Sequence, residues 1–265
     1  MGFFLTIYRV CTGFSHYRDV RDLPVYASIK YLLKLITLLT LLLSVCLIPQ
    51  AMDLTRSITG WAEKHIPSFT ITSGTVKADL PQPYRSGDAD FLFMLDTTGK
   101  ITGPDPHAMR GVLVTADSLL FWLRAEQPTD TPVYTQRQSL RDLPDSTINA
   151  DYVRVLVMLA LWVSVPVMLI AGLAATFTQA CFFSLATAIL ERGMSRGMSW
   201  SQLLNISLHA VTPAAIIFTT YTAMRLEGID LRLVYLIAYG IFLIGGTNAA
   251  RNPAPERESS DNELP

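Results

Sequence analysis

An ionisable side chain inside an uncharged apolar run is a functional candidate by default, because hiding it from water costs free energy unless a partner or a task retains it. His209 is such a residue. It lies in LLNISLHAVTP, with Asn205 one helical turn earlier and Pro213 one turn later, so Asn205, His209 and Thr212 or Pro213 share a helix face. Gln179 lies in a second uncharged run. Gln179, Asn205 and His209 together could form an intramembrane polar path for ions or protons. A proton relay wants a carboxylate partner, however, and the uncharged runs contain none. The favoured reading is a histidine bonded to Asn205, Gln179 or a main-chain carbonyl inside a helix bundle. Thr219, Thr220 and Thr222 read as helix-packing groups in the same way.

Asp96 opens the tetrapeptide DTTG, which superficially resembles the Asp-Thr/Ser-Gly of aspartic proteases. That chemistry needs two carboxylates sharing a proton, and here an additional Thr interrupts the motif. A turn capped by the Asp96 side chain is the simpler expectation. The aromatic residues Phe91, Phe93, Phe121, Trp122 and Tyr134 either line a ligand groove or, as favoured here, form a domain core. Three cysteines, Cys11, Cys46 and Cys181, have no metal-ligand spacing. No phosphate loop, HExxH, GxSxG, zinc pattern or basic nucleic-acid patch occurs. The sequence therefore nominates no catalytic, metal-binding or cofactor-binding residue, and no nucleic-acid partner; the expectation is a protein that is not an enzyme.

The elements that must position these residues follow from where charge is missing. Half of the chain is apolar and 16% is charged, against about 25% in soluble proteins. The deficit is local: residues 35–52, 155–190, 197–224 and 233–250 contain no Asp, Glu, Lys or Arg, while residues 53–151 hold 13 acidic and 9 basic side chains. A bilayer core needs about 20 apolar helical residues. The reading is an α-helical multi-pass membrane protein of about four transmembrane helices with an inserted small α+β extracytoplasmic domain. Its parts are a cytoplasmic or interfacial segment (1–30), a first span (31–52) stopping at Pro49 and Asp53, the extracytoplasmic domain (53–151), a helical membrane domain (152–250) and a disordered cytoplasmic tail (251–265). The run after Asp151 is long for one span; one helix containing Pro166 is favoured over a tight hairpin, which would make a fifth span.

Within 53–151, SFTITSGTVKADL alternates around a Ser73-Gly74 turn, and FLFMLDTTGKI reads as a buried strand running into its turn. GVLVTADSLLFWLRAEQ is a strand, or a strand passing into a short helix after Asp117, and TPVYTQRQSL is a last candidate strand. Trp61, close to His65, is expected at the membrane interface as an anchor. Lys and Arg flank the spans at Arg9, Arg18, Arg21, Lys30, Lys34, Arg192, Arg196, Arg251 and Arg257. With four spans these all fall on the cytoplasmic side, as positively charged short loops do. Both termini are then cytoplasmic and the acidic domain lies outside.

The order of these parts, with FFLTIYRVCTGFSHYRDV before the first span, PSFTITSGTV and FLFMLDTTGK in the inserted domain, then GVLVTADSLLFW and SWSQLLNISLHAVTPAAI, resembles the bacterial domain of unknown function 1189 family over about residues 3–250. The membrane part of that family looks distantly similar to Yip-type multispan proteins, and the resemblance implies the bacterial inner membrane. It carries over no catalytic or binding residue. The function expected is that of an accessory, sensing or scaffolding membrane protein whose extracytoplasmic domain binds a ligand or partner. Its partners would be the lipid bilayer and another membrane protein such as a transporter. The alternative is a small transporter or channel using the polar path around His209.

Overall fold

The computed structural model describes residues 2–124, 133–141, 143–193 and 197–251. The sequence-predicted tail from residue 252 lies outside these, as does Arg196. The described residues form six helices and eight strands: α1 (Phe3–Thr12), α2 (Tyr17–Arg21), α3 (Val25–His65), β1 (Phe69–Thr72), β2 (Thr75–Lys77), β3 (Tyr84–Gly87), β4 (Leu92–Leu95), β5 (Arg110–Val114), β6 (Ser118–Arg124), β7 (Val133–Ser139), β8 (Ser146–Ile148), α4 (Ala150–Gly193), α5 (Trp200–Ala223) and α6 (Leu231–Arg251). They divide into a helical unit, Met1–Ile48 with Val163–Pro265, and a second unit, Pro49–Trp162, that carries the strands.

Four helices, α3, α4, α5 and α6, are long and apolar enough to cross a membrane by length and composition. The region after Asp151 is one helix of 44 residues with Pro166 inside it. The first helix differs from its sequence-based limits: α3 continues through Pro49 and Asp53 to His65, over 41 residues. A proline inside a helix forfeits one backbone bond but need not end the helix where tertiary packing holds the following turns. Here those turns belong to the second unit, where Ala62 is fully buried.

Burial assigns each apolar helix its place in the helical unit. Every residue of α5 from Leu203 to Ala215 is buried, including Asn205, Ser207, His209 and Thr212. A helix apolar and buried all round belongs at the centre of its unit. Ser199 starts it with a capping box, its hydroxyl accepting from the Gln202 amide while the Gln202 side chain accepts from the Ser199 amide. Against α5 pack α6 and the amino-terminal helices. Val10, Tyr17, Val20 and Leu32 join Ile206, Leu208, Val211 and Tyr239 in one core cluster. The segment read as cytoplasmic or interfacial, residues 1–30, is thus built into the helical core through α1 and α2.

The second unit is two sheets with the strand orders β2-β1-β8 and β3-β4-β5-β6-β7. The Ser73-Gly74 turn forms as the alternation predicts: both residues have positive φ, 48° and 75°, the backbone twist that a two-residue hairpin favours. A Cβ on Gly74 would stand 2.7 Å from Cα of Arg141. GVLVTADSLLFW makes two antiparallel strands joined by a turn, with Val114 paired to Leu119 and Arg110 to Leu123. No helix follows Asp117, because Thr115 and Ser118 close that turn with side-chain and main-chain bonds.

The two faces of the large sheet follow from register, since paired residues point to one side. One face carries Phe93, Leu95, Val112, Val114, Leu119, Phe121, Leu123 and Tyr134 in register. The small sheet contributes Phe69, Ile71 and Val76 to the core on this face. The opposite face carries Met94, Leu113, Leu120 and Trp122, which form a second core with Ala108 and Ile101. Trp61, expected as a membrane anchor, instead sits edge-on to Phe91 with ring centroids 5.0 Å apart and packs against the first core. His65 bonds Ser86 at 2.8 Å.

Candidate functional site

Buried polar groups concentrate on α5, and Asn205, Ser207, His209 and Thr212 each meet a partner outside it. The His209 ring stacks on Tyr31 of α3 at 4.3 Å with 12° between the planes. Its Nδ1 donates to the Asn205 main-chain carbonyl at 2.9 Å, which leaves Nε2 as the acceptor in the neutral ring. Tyr31 in turn bonds Thr212 through its hydroxyl at 2.9 Å. Ser207 bonds the Tyr239 hydroxyl at 2.5 Å and donates to the Ala180 carbonyl at 3.0 Å. A polar group buried in hydrocarbon is tolerated when it is bonded in this way. These bonds tie α3, α4 and α6 to the central helix.

The three residues nominated from sequence are not brought together by their side chains. Asn205 turns its amide nitrogen to the carbonyls of Arg21 and Leu23, at 3.1 and 2.5 Å, and so holds the link between α2 and α3. Gln179 accepts from the Tyr235 hydroxyl at 2.9 Å. It lines an apolar cavity of about 480 Å³ with Thr176, Thr219 and Arg232. His209 lines a different cavity of about 460 Å³, together with His16, Asp19, Lys30 and Lys34. Asn205 and His209 remain neighbours because they are one turn apart on α5, and His209 bonds a main-chain carbonyl, one of the three partners the sequence reading allows.

The amino-terminal helices dock through contacts that sequence reasoning missed. Arg18 donates to the Ala249 carbonyl at 2.9 Å and Arg21 to the Ala250 carbonyl at 2.7 Å. Both arginines thereby satisfy the last carbonyls of α6, where the helix dipole also favours positive charge. Asp22 bridges onward, pairing with Arg21 at 2.7 Å and accepting from the Gln202 side chain at 2.9 Å. Its carboxyl is held below the usual range by the Arg21 and then the Gln202 hydrogen bond. The one visible signal was the dense run of basic and aromatic residues in FSHYRDVR, which positive-inside counting treats as loop charge.

In the strand-bearing unit Asp96 is fully buried and serves its own turn. One carboxylate oxygen accepts from the Thr98 amide and hydroxyl at 2.9 and 2.6 Å, and the other from the Ile101 amide at 2.5 Å. Burial pushes this carboxyl up, but the bonds from the Thr98 hydroxyl and from the Ile101, Thr98 and Lys100 amides outweigh it and hold it below the usual range. This is a turn cap. The aromatic set divides between the two readings: Phe93 and Trp122 are buried, whereas Phe121 is 43% and Tyr134 67% exposed, beside Leu123 at 53%. Among the described residues no three His, Cys, Asp or Glu converge as a metal site. Cys11, Cys46 and Cys181 are free thiols.

No curated protein and no solved structure is significantly similar to this chain. A family model does match, over residues 5–246, from the first turn of α1 into α6. That range takes in most of α1, all of α2 to α5 with both sheets, and most of α6, and the chain belongs to the family "Protein of unknown function (DUF1189)".

Proposed function

We propose that the protein is a non-enzymatic accessory of another membrane protein, such as a transporter, and that its strand-bearing domain lies outside the cytoplasm and receives an extended segment of that partner along β7. The observation that carries this reading is the uncovered end of the large sheet. The small sheet's core residues pack on the β4–β5 side of one face and leave Phe121, Leu123 and Tyr134 exposed on the β6–β7 side of it. Strand β7 is also an edge: among the described residues it pairs with β6 alone. Its residues after Val133 are exposed through Ser139. An open strand edge offers main-chain donors and acceptors to an incoming strand, and side chains at alternate positions give that strand its specificity. Apolar residues beside such an edge favour a partner over solvent.

Long apolar helices at both ends of the domain tether it to the compartment boundary where a membrane-protein partner is available. The test is co-purification of the full-length protein in mild detergent, compared with a Phe121→Ser/Leu123→Ser variant. Both side chains are exposed, so the fold is expected to survive. The reading requires that a defined membrane protein accompany the wild type and drop by tenfold or more with the variant, as loss of about 1.4 kcal/mol or more would give. Equal recovery with both forms would refute it.

A further inference from the structure

We propose that the cavity between α1, α2, α3 and α5 binds the phosphate of an anionic phospholipid headgroup through Lys30 and Lys34. This site is separate from the β7 edge. The cavity has a volume of about 460 Å³, and its lining includes Lys30, Lys34, His16, Asp19, Tyr31 and His209. Lys30 and Lys34 are four residues apart on α3 and so share a face. Both are exposed, and among the described residues neither forms an ion pair. Two unpaired ammonium groups on the wall of one cavity favour a divalent or bidentate oxyanion.

A second group points the same way. His16 is 6% exposed and directs Nδ1 to Asp19 at 3.1 Å. Its Nε2 is buried and has no partner, although buried polar atoms are nearly always bonded. A phosphate oxygen beside the ring would give Nε2 an acceptor in any form of the ring that carries a hydrogen there. Asp19 is the one acidic side chain on the wall, and its carboxylate faces His16. His209, with Nδ1 committed to the Asn205 carbonyl, leaves Nε2 to accept from a headgroup hydroxyl.

The position on α3 selects a lipid as the source of the phosphate. Lys34 is the last charged residue before the uncharged run 35–52. Lysines at that point of a span lie at headgroup level, where each changes the binding constant about fivefold. Phe3, Leu23 and Tyr26 add apolar lining suited to the glycerol backbone and upper acyl chain.

The experiment uses the full-length protein in detergent, with dioleoyl phosphatidylglycerol, dioleoyl phosphatidylcholine or inorganic phosphate added. It reads the melting temperature and the lipid retained in native mass spectrometry. Phosphatidylglycerol should raise the melting temperature and be retained, phosphatidylcholine should not, and Lys30→Gln/Lys34→Gln should retain on the order of thirtyfold less. Lys30→Arg/Lys34→Arg, which preserves both charges, should retain the lipid and so exclude a folding defect as the cause. An equal shift with inorganic phosphate, lost in the glutamine variant, would support the phosphate site but overturn its assignment to lipid. Equal retention of phosphatidylglycerol by the wild type and the glutamine variant would overturn the site itself.

Discussion

Asp96 shows how one side chain can be read in two chemistries and belong to one. Its carboxylate is spent on the Thr98 and Ile101 donors of the turn that follows β4. Replacing it with Asn keeps the size but sets an amide group against a donor, which costs about 1–3 kcal/mol. Asp96→Asn is therefore expected to speed amide hydrogen exchange across the 92–101 segment of the full-length protein by about tenfold or more. Unchanged exchange would contradict the capping role. The pH dependence carries the same sign. A carboxyl held below its unfolded value contributes stability above that value and loses it as pH falls through the folded one. Protection of this segment should thus fall on acidification below about pH 4, and the Asn variant should lose most of that dependence. The turn was legible in the sequence because Asx turns are local, whereas the ring that stacks on His209 was not. Tyr31, which stacks on it, lies far away in the chain, and no periodicity links the two.

At the scale of elements, the docking of α1 and α2 is the feature least visible beforehand. Hydropathy locates long apolar helices well, because bilayer thickness and backbone satisfaction fix their length. It is silent about a short amphipathic segment, which can lie on a membrane or pack into a bundle with the same composition. Close approach decides it here. A Cβ on Gly246 would lie 2.6 Å from Cδ1 of Tyr17, and one on Gly245 would lie 2.5 Å from Cε1 of Phe14. Small residues let neighbouring chains approach in this way. Gly246→Val is expected to release α2 from α6 and to expose Cys11, whose thiol is pushed up by burial and so reacts slowly in the folded protein. In a Cys46→Ser/Cys181→Ser background, maleimide labelling of Cys11 should quicken several-fold with Gly246→Val. An unchanged labelling rate would place the packing of Tyr17 in doubt.

At the scale of the whole molecule, four helices are long and apolar enough to cross a membrane, and four crossings would put both termini on one side. The excess of Lys and Arg beside the spans predicts that side to be the cytoplasm. Amine-directed labelling of intact cells should reach Lys77, exposed on β2, whereas tags placed at both termini should stay protected; labelled termini would reverse the topology. The charge-free runs made the long helices legible, and the alternation and turn residues did the same for β1, β2, β4, β5 and β7. Pairing order was not legible, since β4 and β5 run parallel across 14 intervening residues that carry no strand signal. Nor could the sequence show that Trp122 is buried while its neighbours Phe121 and Leu123 are exposed, because that depends on where the small sheet packs. The proposed partner contact falls on this uncovered β6–β7 surface. Its most direct test is a photo-crosslinking residue at Tyr134 of the full-length protein in living cells, with one at Lys77 as control. A discrete adduct with another membrane protein is expected from Tyr134, absent from Lys77 and abolished by Phe121→Ser/Leu123→Ser; no adduct, or one indifferent to that variant, would rule the contact out.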